Sequence, residues 1–151
     1  MIKILEDNNV LDCILLMDKS RKDNDYGPYS DNERVWIEHL THHIKDPHCL
    51  AIGDFDGDEL RGFMLCSTFR NFYTHELVSD VKDCIVDQDR NNVFTVTRLF
   101  NAMIAASKEA GIKTWRADSL RASDKADEYV EFLSRKYNAR PFRGVHGTIG
   151  D

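Results

Sequence analysis

The stretch Val81–Gly111 reads VKDCIVDQDRNNVFTVTRLFNAMIAASKEAG. It opens as a strand, because Cys84, Ile85 and Val86 are three consecutive apolar residues, the pattern of a strand buried on both faces. The polar segment Asp87–Asn92 then turns the chain. From there Val93, Val96, Leu99, Phe100, Met103, Ile104 and Ala106–Ser107 recur at helical spacing. Gly111 stands where a helix ends through a residue in the left-handed conformation. A strand that feeds directly into a helix aims the free first-turn N–H groups of that helix beyond the strand's end. Such a junction suits a phosphate or pyrophosphate.

The flanks supply the rest of a mixed α/β fold. Met1–Leu5 alternates apolar and polar as a short strand. Asn8 or Asn9 is expected to cap a helix with Val10, Leu11, Ile14, Leu15 and Met17 on its buried stripe. A loop rich in Asn, Asp, Gly and Pro follows, and Ser30 or Asp31 is expected to cap a second helix that buries Val35, Trp36, Leu40 and Ile44. Cys49–Gly53 and Leu60–Phe69 form a hairpin around the Asp-Gly turn signal in DFDGDE. After Gly111, Lys113–Leu120 alternates like a strand. Asp124–Asn138 is helical, with Ala126, Tyr129, Val130, Leu133 and Tyr137 on one side, and Ala139–Ile149 supplies one or two last strands. The predicted order is β-α-α-β-β-β-α-β-α-β, a single mixed-sheet domain over residues 1–151 with helices on both faces.

Composition narrows the function. A net charge of −6 disfavours nucleic-acid binding, which needs a basic face. No apolar run reaches the length of a membrane span, and Met1–Glu6 does not read as a signal peptide. Cys13, Cys49, Cys66 and Cys84 are widely spaced among apolar neighbours, so they are expected to be reduced core residues of a cytoplasmic protein.

The element order resembles that of the GCN5-related N-acetyltransferase (GNAT) family, over nearly the whole chain. DELRGFMLC (Asp58–Cys66) looks like the family's second hairpin strand. DRNNVFTVTRLFNAMIAASKEAGIK (Asp89–Lys113) looks like its coenzyme loop and helix, and EFLSRKYNARPF (Glu131–Phe142) like its penultimate helix and the strand after it. The resemblance implies acetyl-CoA as acyl donor and a small-molecule or protein amine as acceptor, attacking the thioester directly. It also implies that Cys84, Ile85, Val86 and Asp87 would pair with the pantetheine arm. Arg90, Asn91, Asn92, Val93 and Thr95 would form the pyrophosphate cradle. The family's usual loop, Arg/Gln-x-x-Gly-x-Gly/Ala, has two glycine positions that are here Val93 and Thr95, although Asn91 or Asn92 has a side chain compatible with the left-handed conformation.

For the acid that protonates the leaving thiolate, the family's alignment puts Ser134 at the usual tyrosine position and Tyr137 one helical turn on, with Tyr129 behind them. Glu76, Asp83 and Asp87 are candidates for the base that deprotonates the amine, with Asp118 on the next strand as another. Trp36, Tyr26, Tyr29 and Phe72–Tyr73 would line an acceptor groove or plug the core. His42, His43, His48 and Cys49 lack a second pair at ligand spacing, and the Asp54–Asp58 run fails the EF-hand pattern, so no metal is expected. The absent loop glycines and Ser134 also fit a second reading: a catalytically silent protein of this fold that binds a protein partner or a second copy. The chain likewise resembles degenerate acetyltransferase-like proteins of tailed bacteriophages, which would put it in the host cytoplasm or the virion.

Overall fold

The computed structural model describes residues 1–21, 33–87, 92–117 and 126–141. Five strands form one sheet in the order β1-β2-β3-β4-β5: β1 (Ile2–Ile4), β2 (Cys49–Asp56), β3 (Glu59–Arg70), β4 (Leu77–Val86) and β5 (Thr114–Ala117). The first four are antiparallel and β5 runs parallel to β4. Helices α1 (Val10–Arg21), α2 (Glu33–Lys45), α3 (Asn92–Glu109) and α4 (Ala126–Tyr137) complete the described fold. The expected order of elements holds as far as α4; of the last expected strands (Ala139–Ile149), residues 139–141 are not in a strand and the rest lies outside the described residues, as do the proposed caps Ser30 and Asp31.

The sheet separates two apolar clusters. Leu5, Phe63, Leu65 and Ile85 meet α1 and α2 on one face. Met64, Cys66, Val81 and Val86 meet α3 and α4 on the other. Strand alternation distributes β4 between the two, so Ile85 belongs to the first cluster while Val86 and partly buried Cys84 belong to the second. The turn between β2 and β3 holds Gly57 at φ 61°, and Gly111 ends α3 at φ 73°, both conformations that favour glycine.

Two helix faces differ from the sequence reading. In α1 the buried apolar residues are Cys13, Ile14, Leu16 and Met17, whereas Leu11 and Leu15 are more than half exposed. Val10–Met17 contains almost only apolar residues, so periodicity could not fix which side turns inward. Asn9 does not cap α1 forward. It lies in a 3-10 turn (Asp7–Asn9), and its Oδ1 accepts the Glu6 N–H at 3.0 Å. In α2 the stripe is Trp36, Leu40 and His43, and Val35 is exposed. An imidazole therefore occupies a position that hydropathy assigns to an aliphatic residue.

Candidate active site

Strand β4 is longer than β5 among the described residues. It pairs with β5 there over Val78–Val81, and from Lys82 to Ile85 its β5-facing edge has no strand partner among the described residues. The parting coincides with an irregularity on the other side. Against β3, Leu65 pairs with Asp83 and Cys66 with Val81, so Lys82 is an extra residue in β4. A bulge of this kind bends a strand and sharpens its twist. Asp80 fixes the last paired turn. It is fully buried, and Arg116 of β5 grips its carboxylate with Nε at 2.8 Å and a second nitrogen at 3.0 Å while Lys82 bonds the same group.

The first side chain beyond the bulge is Asp83. Its Oδ2 lies 2.8 Å from His39 Nε2 on α2, and both side chains retain partial exposure. Trp36 stands edge-on to His39 at 5.6 Å between centroids, and the His43 ring meets His39 edge-on at 4.5 Å. His43 Nδ1 lies 2.9 Å from the His39 carbonyl, while its Nε2 is buried with no hydrogen-bond partner. Burial is the main influence on His43 and holds it below its ordinary 6.5, against the opposing pull of the His39 carbonyl. Trp36 is thus part of the core beside this pair rather than an open groove wall.

Past Val86 the chain reaches the start of α3. Asp87 is buried; Lys19 of α1 donates to it at 2.9 Å, Arg61 lies 3.9 Å away, and its own N–H continues the ladder to the Arg61 carbonyl at 2.8 Å. Gly62 on β3 makes the approach of α3 possible. A Cβ there would sit 2.6 Å from Thr95 Cγ2, 2.9 Å from Val86 Cγ1 and 3.0 Å from the Ile85 carbonyl. The glycine after the hairpin turn therefore lets the first turn of α3 rest on the sheet. A cleft of about 510 Å³ opens there, lined by Arg61, Asp87, Asn92, Phe94, Thr95 and Arg98.

Val93 and Phe94 are exposed and Thr95 is buried, and Phe94 lines the cleft. The cations of this cleft are engaged by carboxylates: Arg61 by Glu59 and Asp56, Arg98 by fully buried Asp54. The first-turn N–H groups of a helix such as α3 have no partner within the helix. Arg90 and Asn91 lie outside the described residues.

The remaining candidates are scattered. Glu76 is exposed in the loop before β4, its N–H 3.4 Å from Thr74 Oγ1, seven residues or roughly 23 Å of strand from Asp83. Ser134 and Tyr137 line a cleft of about 360 Å³ between β5 and α4. The Tyr137 hydroxyl donates to Asn101 Oδ1 at 2.8 Å, its ring packs on Phe100 and Trp115, and burial raises its pKa. Asn138 closes α4 at φ 51°, a conformation asparagine tolerates. Tyr26, Tyr29 and Asp118 lie outside the described residues, and Phe72 and Tyr73 stand exposed on the β3–β4 loop. Burial raises the Cys84 thiol to about 12, so it is protonated at neutral pH and a poor nucleophile. Sequence reasoning reached Asp83 but not His39. The signal available was a histidine flanking an otherwise apolar stripe, at i and i+4 with His43.

Comparison with solved structures places this architecture. An aminoglycoside 6'-N-acetyltransferase from Acinetobacter haemolyticus superposes with a TM-score of 0.74 at 12% identity, covering 100% of this chain and 98% of that one. The fold is that of the GNAT acetyltransferases. A ribosomal-protein-alanine N-acetyltransferase from Brucella melitensis gives 0.74 at 15% identity with 99% of both chains covered. A predicted acetyltransferase from Clostridium acetobutylicum, solved with acetyl-CoA, gives 0.74 at 9% identity, covering 99% of this chain and 95% of that one. No protein-family model matches the chain, and no curated protein matches it by sequence. Among the described residues no helix is long and apolar enough to cross a membrane.

Proposed function

We propose that the protein transfers an acyl group from acetyl-CoA to the amine of an acceptor, by direct attack of the amine on the thioester. The observation that carries this reading is the β5-facing edge of β4 from Lys82 to Ile85, which has no strand partner among the described residues, with the Asp83–His39 pair on it and the α3 N-terminus beyond its far end. That edge offers backbone donors and acceptors to an amide-bearing arm, and the α3 N–H groups offer a seat for phosphates. GNAT-fold neighbours, one of them solved with acetyl-CoA, support the same choice of donor.

Bound there, acetyl-CoA would supply an activated acyl carbon and a thiolate leaving group. His39 donates its Nε2 proton to Asp83, which leaves the Nδ1 lone pair as the base. As the amine nitrogen bonds to the acyl carbon and the C–S bond breaks, Nδ1 takes the amine proton and Asp83 stabilises the imidazolium. A thiol titrates near about 8.5, so its thiolate needs little help in leaving. Ser134, at the family's acid position on α4, would donate a hydrogen bond to it. Tyr137 is the weaker choice because its hydroxyl is already committed to Asn101. Acylation of Cys84 plays no part, given its protonated thiol.

The test is thiol release from acetyl-CoA with a panel of amines, comparing wild type with His39→Gln and Asp83→Asn. Acceptor-dependent release that falls by about 100-fold or more in both variants is expected. Release without an acceptor requirement, or equal rates in all three proteins, would overturn the assignment.

A further inference from the structure

Away from the cleft, the junction between α2 and β2 brings three unlike donors together. His42 is in the last turn of α2, Asp46 follows the helix, and Cys49 begins β2. The Asp46 N–H donates to the His42 carbonyl at 2.9 Å and the Cys49 N–H to the Asp46 carbonyl at 3.0 Å, so backbone bonds set the spacing of all three. The Asp46 carboxylate is oriented in turn. Its Oδ1 accepts the His48 N–H at 2.8 Å, which directs Oδ2 towards His42.

His42 Nε2 and Asp46 Oδ2 stand 3.6 Å apart, beyond a good hydrogen bond. Two ligands about 2.1 Å from one tetrahedral ion would be separated by about 3.4 Å. Cys49 Sγ completes the set, with all three atoms within 4.8 Å of one another. The last carbonyls of α2 add the negative end of the helix dipole. His42 is exposed, which gives an ion a path in. A mixed nitrogen, oxygen and sulfur set with one open position suits zinc rather than magnesium or calcium.

We infer that His42, Asp46 and Cys49 form a zinc site, with water as fourth ligand, that ties the end of α2 to the start of β2. The site is independent of the acyl-transfer reading. His43 is not a ligand, because its Nδ1 faces the His39 carbonyl and its Nε2 is buried. The adjacent His48 contributes its backbone N–H to Asp46 and is not a member of the ligand set.

The test is titration of the full chain with cobalt(II) as a spectroscopic stand-in for zinc, followed by zinc competition. One ion per chain with a thiolate-to-cobalt charge-transfer band is expected. Cys49→Ser should lose the band, His42→Ala and Asp46→Asn should weaken zinc binding by about tenfold or more, and His48→Ala should leave it unchanged. Alkylation of the wild type read by mass spectrometry needs no variant: zinc should slow modification of Cys49. Absence of the band in the wild type, its survival in Cys49→Ser, or alkylation of Cys49 at the same rate with and without zinc would overturn the site.

Discussion

At the scale of single residues the account turns on Asp83, His39 and Gly62. The bulge at Lys82 and the packing of α2 hold Asp83 and His39 2.8 Å apart beside the end of the β4–β5 ladder. The amide variants His39→Gln and Asp83→Asn remove the proton chemistry while leaving polar side chains of similar size. Cys84→Ala is expected to retain transfer activity within a few-fold, since the thiol is protonated and only partly buried. Loss of turnover together with an acylated wild-type enzyme in mass spectra would instead require a covalent route. Gly62 acts through space rather than chemistry. Gly62→Ala puts a methyl 2.6 Å from Thr95 Cγ2 and against Val86, and should cost about 1–3 kcal/mol in urea unfolding. Thr95→Ser removes the closest methyl, so the double variant should recover part of that loss.

At the scale of elements, α3 is fastened to the sheet at both its apolar face and its charged edge. Asp54 is fully buried on β2. Burial pushes its carboxyl up, but hydrogen bonds from Arg98 and the Met1 ammonium, together with their charges, hold it below the ordinary 3.8. Arg98→Met would leave Asp54 with only the Met1 ammonium, and a loss of about 1–3 kcal/mol is expected because a buried charge loses its main partner while Arg98 itself is half exposed. The elements are also where sequence reading succeeded and failed. Cys84–Val86, the spacing after Val93 and Gly111 gave the strand–turn–helix unit because buried strands, helical periodicity and a left-handed cap are local properties. The inward face of α1 was not legible, because Leu11 and Leu15 are as apolar as the residues that turn inward. Nor was the His39–Asp83 pair, which joins residues 44 positions apart through the packing of α2 on the sheet. The bulge at Lys82 has no sequence signature, since it depends on how two strands register.

At the scale of the whole molecule, stability should depend on pH through groups whose ionisation the fold opposes or favours. Burial lowers the pKa of His43, so the unfolded chain binds a proton more readily than the folded one. Its contribution is therefore fully present above the unfolded value of 6.5 and is lost as pH falls below it. Urea midpoints should decline between pH 7 and pH 5, roughly the window in which a histidine charges, and His43→Gln should flatten that decline. Asp54 and Asp80 act in a lower window. Burial raises both, but their arginine partners hold both below 3.8, so their contribution is lost as pH falls through those lowered values. The same organisation gives the two sheet faces different proposed tasks: α2 carries the proposed base, and α3 the proposed anion seat.

The measurement closest to the central claim is a titration of isotope-labelled protein with acetyl-CoA, followed by backbone amide NMR. Shift changes should concentrate at Lys82–Val86 and at Asn92–Thr95, along the end of β4 beyond its described pairing with β5 and in the first turn of α3. No change at millimolar coenzyme, or changes gathered on β1 and β2 instead, would contradict it.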